Sequence, residues 1–327
     1  MQVAVTGATG VLGHRLVERL VDRGHEVYGL ARDEDGCDLV ERRGAVARQG
    51  DVLDPDSLES LPDVETLVHA ATSIPTATKP TEEDWERNDR VRVEGIHNLI
   101  DVLGETVDRV FFPSVVWVAR RPDGSQFDET APRNPTRATR SAATVEESLA
   151  EAGSEYGFES AVLRCGYFYG PDAAHTRQFG ESLLSGTLPV VGGGLLGRQD
   201  ARLSFVHASD AASAFADAID ADVSGCYHVV DNQPVTLADF LGSFADYLDT
   251  SSPRRLPGWL ATFLVGSEAV DLLTNPMPTT NRKFGDAVGW EPQYPTYEEG
   301  LQQVVDTWET DGTLVERGDG YEWNGGV

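Results

Sequence analysis

Three glycines spaced three apart, Gly7, Gly10 and Gly13, stand in Thr6-Gly7-Ala8-Thr9-Gly10-Val11-Leu12-Gly13, between the apolar run Val3-Ala4-Val5 and a stretch of helical periodicity. A strand, a tight glycine turn and a helix in that order form a cradle for phosphate. Gly7 permits the turn, Gly10 lets backbone approach a pyrophosphate, and Gly13 lets the helix pack closely on the strand. The helix start, with Thr9, Val11 and Leu12 around it, offers free N–H groups and the positive end of a dipole. An ordinary strand-to-helix turn is the plain alternative. The next segment decides between them: Leu16, Leu20 and Val21 continue the helix to Gly24, and the strand His25 to Ala31 completes a unit of dinucleotide-binding length.

The end of that second strand selects the dinucleotide. An acidic residue there would accept a bond from the adenosine ribose, but the strand ends Ala31-Arg32, and a guanidinium suits a 2'-phosphate. The expected cofactor is therefore NADP, with NAD as the alternative because Asp33 follows at once. Further strands are expected at 45–48, 66–71, 109–116 and 160–164, with Gly50-Asp51-Val52 after the first of them. The first two end in small residues, among them Ala70 and Ala71, which leaves room for a ligand crossing the crevice at the strand ends. His69 lies on this path, though a strand histidine reads first as a packed, hydrogen-bonded core residue.

Helices are expected at 84–103, 139–151 and 172–185. A chain of 327 residues with 40% hydrophobic content buries a large core. The whole predicts an α/β protein: a Rossmann-type doubly wound parallel sheet with a smaller C-terminal substrate lobe. Residues 1–165 form the dinucleotide-binding domain, to which segments near 201–232 return; 166–310 are mainly substrate lobe, and 311–327 an acidic tail. Charge narrows the partners. With 54 acidic against 26 basic residues the net charge is -28, a surface that repels nucleic acid and anionic membrane and leaves a small molecule as the expected partner. Cys37, Cys165 and Cys226 lack metal-ligand spacing and read as incidental thiols of a reducing compartment. A strand beginning beside Met1 and no long apolar run suggest a cytoplasmic location.

These segments resemble the short-chain dehydrogenase/reductase superfamily, and within it the extended branch of NAD-dependent epimerase/dehydratases. Besides the glycine turn, the resemblance rests on Gly50-Asp51-Val52, Val68-His69-Ala70-Ala71, the run Leu163 to Pro171, Phe205-Val206-His207-Ala208-Ser209-Asp210, Gly289-Trp290-Glu291-Pro292 and Glu299-Gly300-Leu301. It implies pyrophosphate on Gly7, Gly10 and Gly13, Asp51 near adenine, Ala70 and Ala71 along the cofactor channel, and a helix-paired homodimer. It also matches Ser114 to the family's catalytic serine or threonine.

The family's Tyr-x-x-x-Lys pair, in which lysine lowers the phenol's pKa for proton exchange with substrate, is missing. Ala138 and Ala142 stand at its positions, and 133–151 contains neither tyrosine nor lysine. Arg92 replaces an asparagine usual before Val93. The chain thus resembles atypical members of the family. Substitute proton donors are Tyr167, Tyr169 and His175, and Arg137 or Arg140 would steady an oxyanion. The plainer readings are aromatic packing for the tyrosines and a salt-bridged surface for Arg120, Arg121, Arg133, Arg137 and Arg140.

In the second half, Gly192-Gly193-Gly194 reads as a flexible rim or a phosphate nest. Relatives acting on nucleotide sugars carry an arginine where this chain has Leu203, with Arg198 and Arg202 out of register. Asp210 is expected to cap a helix to Ala221, and Thr236 the helix after it. Trp259 to Val265 reads as core, lid or dimer face, and the tail from Asp311 as loosely held. Two functions compete: an NADP(H)-dependent oxidoreductase or epimerase-like enzyme on a small hydroxylated or carbonyl compound, with Ser114 holding the reacting oxygen, and a dinucleotide-binding sensor or accessory subunit without turnover. Only two lysines, Lys79 and Lys283, in so acidic a chain suggest a halophilic source. Circular dichroism should then show folding in molar potassium chloride and its loss in salt-free buffer; equal folding in both would refute a high-salt origin.

Overall fold

The computed structural model describes residues 1–77, 79–192, 201–257, 259–260, 270, 274–318 and 320–325. The first strands are β1 (Gln2–Thr6), β2 (Glu26–Ala31), β3 (Val46–Gln49), β4 (Thr66–His69), β5 (Arg109–Val115), β6 (Glu159–Cys165) and β7 (Tyr167–Tyr169). They are followed by β8 (Val190–Gly192), β9 (Arg202–Leu203), β10 (Phe205–His207), β11 (Gly225–Val229), β12 (Val235–Thr236), β13 (Arg255–Pro257), β14 (Leu314–Arg317) and β15 (Gly320–Trp323). Between them run α1 (Gly13–Asp22), α2 (Glu34–Glu41), α3 (Pro55–Leu58), α4 (Glu82–Leu103), α5 (Arg140–Tyr156), α6 (Ala174–Leu184), α7 (Ala208–Asp220), α8 (Leu237–Tyr247), α9 (Arg282–Val288) and α10 (Tyr297–Thr310).

Seven strands make one sheet in the order β11-β6-β5-β4-β1-β2-β3, with every pairing parallel. Parallel strands need crossovers, and the crossover helices cover both faces, so the strands carry apolar runs rather than alternation. Val3, Ala4 and Val5, like Val110, Phe111 and Phe112, are fully buried. One face packs on Leu16, Leu20, Ala211 and Phe215 of α1 and α7. The other packs on Ile96, Leu99 and Leu103 of α4 with Val145 and Leu149 of α5. The winding reverses after β3, where the chain returns past β1 to β4. The C-terminal ends of β1 and β4 therefore flank the switch point, where doubly wound folds bind ligands.

A third core, centred on Phe205, Phe240, Phe244, Leu301 and Trp308, fills the space beside the sheet. Phe205 and Phe240 stack with ring centres 4.3 Å apart. Short pairs, β10 with β7, β12 with β9 and β13 with β8, carry the chain across it. Thr236 caps α8 as expected, its hydroxyl accepting from Asp239 N at 3.1 Å.

Two expectations are corrected. Asp210 does not cap α7. His207 does, accepting from Ser209 N, while Asp210 sits buried in the first turn and accepts from Gln293 N (2.8 Å) and Tyr294 N (3.1 Å). Nor is the tail from Asp311 loose. β14 and β15 form an antiparallel hairpin, and Trp323 meets the Trp308 ring edge-on at 5.0 Å beneath the Arg177 guanidinium. Aromatic area buried by one residue anchors a segment whose composition suggested solvation. Gly193, Gly194, Arg198 and 261–265 lie outside the described residues.

Trp308 also donates its indole N–H to Pro171 O at 2.8 Å and is fully buried. Trp308→Ala should cost about 3–5 kcal/mol in urea denaturation, and Trp323→Ala clearly less.

Candidate functional site

The turn between β1 and α1 is fixed by backbone meeting backbone. Gly7 holds φ +66°, and a Cβ there would fall 2.6 Å from the Ala70 carbonyl at the end of β4; one on Gly13 would fall 2.0 Å from Gly7 O. No larger residue fits either place. Beyond the turn, α1 begins at Leu12 with no side-chain cap and no acid in its first turn. Some helices satisfy this end internally: Thr81 caps α4 through a reciprocal bond with Asp84, and Asp33 Oδ1 accepts from Gly36 N at 2.8 Å to cap α2; α3, α5, α6 and α9, like α1, carry no side-chain cap. His14 N donates to Gly10 O at 3.0 Å, and an uncapped helix start directly behind a glycine turn fits the pyrophosphate of a dinucleotide. Thr9 and Gly10 are exposed above it, while Val11 is half-buried.

Arg32 is exposed at the end of β2 and makes no ion pair among the described residues. Asp33 has one oxygen committed to the α2 cap. Asp51 Oδ1 accepts from Leu53 N at 2.9 Å, and Val52 is buried with its carbonyl accepting from Asn98 Nδ2 at 2.8 Å. Ala70 N donates to Thr6 O (3.2 Å) and Ala71 N to Thr6 Oγ1 (3.4 Å), so both alanines are seated beside the glycine turn. His69 is a core residue. Its Nδ1 meets Thr6 Oγ1 at 2.9 Å, and its Nε2 donates to Arg92 O at 3.2 Å. Burial, with a smaller contribution from the Arg92 charge, pushes its pKa down to about 4 and keeps it neutral.

Ser114 ends β5, but its side chain turns into the protein. It is 1% exposed and donates to Glu146 Oε1 at 2.5 Å. Glu146, on the inner face of α5, is held on both oxygens by Arg164 of β6, Nε to Oε1 at 2.9 Å and Nη2 to Oε2 at 2.6 Å. Arg133 adds a longer contact at 3.5 Å. A hydroxyl bonded to a buried carboxylate has its proton committed there. Tyr169 is equally enclosed. Its ring packs over Gly300 and against Phe205, Phe240 and His207, and its buried hydroxyl has no partner among the described residues. Burial raises its pKa well above the ordinary value.

Tyr167 lies differently. It is half-buried between Trp117, 6.2 Å away, and His175, 4.9 Å away edge-on, and the three rings make an aromatic wall past the ends of β5 and β6. His175 Nε2 is bonded to Phe168 O. Arg137 is taken up by Glu82 and Asp89, both at 2.7 Å, and Arg140 approaches Asp89 at 3.6 Å. Trp117 was not among the residues singled out from the sequence. Neither were Glu146 and Arg164 as a pair, although a charge at the inner end of each apolar pattern signals a partner.

The profile of the NAD dependent epimerase/dehydratase family matches residues 3–230. The chain belongs to that family. It is 32% identical over 312 residues to a 3-diazoavenalumate denitrifying reductase of a Streptomyces species, a match covering 92% of this chain and 99% of that one. Among solved structures, UDP-glucose 4-epimerase of Thermus thermophilus in complex with NAD superposes with a TM-score of 0.78 at 26% identity, covering 94% of this chain and 99% of that one. A human epimerase family protein with NADPH gives 0.77 at 18% identity over the same shares and shares the fold. The fold is thus a nicotinamide-dinucleotide-binding one. No described helix is long and apolar enough to cross a membrane.

Removing one partner of a buried ion pair leaves the other charge stranded. Glu146→Ala should therefore lower stability by about 3–5 kcal/mol, and Glu146→Leu combined with Arg164→Met should recover most of it in the same denaturation measurement.

Proposed function

We propose that this protein is an NADPH-dependent reductase that delivers hydride to a carbon bearing a diazonium group, releasing dinitrogen. The observation that carries this reading is a site without its family's proton relay: Ala138 and Ala142 replace tyrosine and lysine, and the Ser114 hydroxyl is bonded to Glu146. Reduction of a carbonyl needs a proton on oxygen as well as hydride, and general acid help there contributes roughly a hundred to ten thousand in rate. A diazonium carbon needs none. Its C–N bond breaks with the electron pair leaving on dinitrogen, the C–H bond forms from hydride, and charge balances without an acid. The denitrifying reductase from Streptomyces, similar over almost its whole length, supports that substrate class.

A bound reduced nicotinamide supplies the hydride. The chain's residues do the rest. Gly7, Gly10, Gly13 and the uncapped start of α1 hold the pyrophosphate. Arg32 meets the 2'-phosphate, which favours NADP over NAD, and Asp33 keeps one of its two oxygens on the α2 cap. Asp51 and Val52 border the adenine, and Ala70 and Ala71 leave the passage open to the other half. Trp117 and Tyr167 offer a flat aromatic substrate a stacking wall that also keeps water from the reacting carbon. Ser114 in this reading fixes the end of β5 and does not touch substrate.

The test supplies purified protein with 4-deuterated NADPH and an aryl diazonium carboxylate. Deuterium is expected on the carbon that carried nitrogen, with one dinitrogen per NADPH oxidised. Ser114→Ala should keep the rate within about threefold, since it removes no transition-state donor. Cofactor binding without label transfer would instead support a dinucleotide-binding protein without turnover.

A further inference from the structure

A cavity of about 560 Å³ lies outside the crevice, lined by Asn232 and Pro234 after β11, Pro278 and Arg282 around the start of α9, and Arg202 of β9. That size suits a small-molecule ligand. β11 is the edge strand of the sheet, and β1 with its glycine turn stands four places along, about 19 Å at ordinary strand spacing. Ser204 stands between the cavity and the aromatic wall. Its carbonyl accepts from Tyr167 N at 2.8 Å and its hydroxyl oxygen from Thr279 N at 3.0 Å, and both Ser204 and Thr279 are buried. The cavity is therefore separate from the places given above to cofactor and substrate.

Its charge sets it apart in so acidic a chain. Arg23, Arg109, Arg137 and Arg164 each hold a carboxylate at 2.6 or 2.7 Å. Arg202 and Arg282 hold none among the described residues; Arg202 gives one N–H to Pro234 O at 3.3 Å, and both are exposed. Successive residues of a strand face opposite ways, so Leu203 and Phe205 turn into the third core while Arg202 and Ser204 turn toward 277–282. Arg202 thus does not stand in for the arginine that relatives acting on nucleotide sugars carry at 203. The acid of this lining is Asp231, 2% exposed. Burial, with the Asp210 charge adding to it, holds its carboxyl well above the usual range, which favours the neutral form and leaves an anion unopposed. Asn281 Nδ2 donates to Val230 O and to Asn232 Oδ1, both at 2.9 Å, and so ties the two sides of the cavity together before any ligand arrives.

We propose that this cavity is a second binding site, for a small phosphorylated compound whose phosphate is held by Arg202 and Arg282 and whose apolar part lies against Pro234 and Pro278. A phosphate monoester brings close to two charges and three acceptor oxygens, enough for two guanidinium forks, where a carboxylate brings one charge and two oxygens. The site is independent of the chemistry assigned to the crevice.

Equilibrium dialysis and calorimetry on the full chain, at fixed potassium chloride and with the dinucleotide site filled by NADPH, test it with phenyl phosphate as the probe. One saturable site is expected on the wild type. Arg202→Gln and Arg282→Gln should each weaken it about tenfold, the loss of one charge-assisted pair, while NADPH affinity stays within about twofold. Benzoate should bind about tenfold more weakly than phenyl phosphate. No saturable binding up to about 10 mM would overturn the proposal, as would an affinity unchanged in the double variant, which would put the phosphate elsewhere on the protein. Benzoate binding as tightly would overturn phosphate as the class of ligand. If NADPH itself fails to bind, the cofactor reading falls, and the comparison of the double variant with wild type still decides this site.

Discussion

Backbone pressed on backbone, Gly7 against Ala70, is the contact on which the site depends. It brings the first turn within reach of the end of β4, and β4 is the strand reached only after the winding reverses. Because no side chain intervenes, the crevice has its floor at main-chain level, and the start of α1 faces it with donors uncapped. The packing that enforces this contact lies on both faces of the sheet. Leu16 and Leu20 hold α1 down from one side, and Ile96 and Leu99 hold α4 from the other.

Around that floor the charges are unevenly satisfied. Glu146 is fully used by Ser114 and Arg164, a closed arrangement that ties α5 to β5 and β6 and keeps the serine's proton inside. Arg92, a helix away, has no such closure among the described residues. In a chain with a net charge of -28, carboxylates are abundant, so an arginine left without one reflects the local geometry rather than scarcity. A polar network fully satisfied within the protein fixes structure, whereas a buried charge left unpaired costs stability.

The order of strands and helices was legible because glycine spacing, continuous apolar runs and caps such as Thr236 act locally. Strands expected at 66–71 and 160–164 form as β4 and β6, within a residue or two at most ends. What resisted reading was long-range. Asp210 looked like a cap because only its own helix is visible in sequence; its partners, Gln293 and Tyr294, lie over eighty residues on. The acidic tail hid Trp323, whose value depends on finding Trp308. Ser114 was singled out by position at a strand end, but which way it turns is decided by Glu146 across a helix. Loss of tyrosine and lysine at 138 and 142, by contrast, needed only a register, which Glu146 and Ser141 supplied.

Asp210 has a consequence for motion. Its carboxylate, buried where α7 meets the sheet, grips the backbone of Gln293 and Tyr294, just before the helix whose Trp308 anchors the third core. Swinging one part of the molecule away from the other as a rigid body would uncover that carboxylate and strand two amides. The fold is therefore stitched across the waist. Opening of the crevice then falls to the segments that rim it rather than to a hinge between two parts of the molecule.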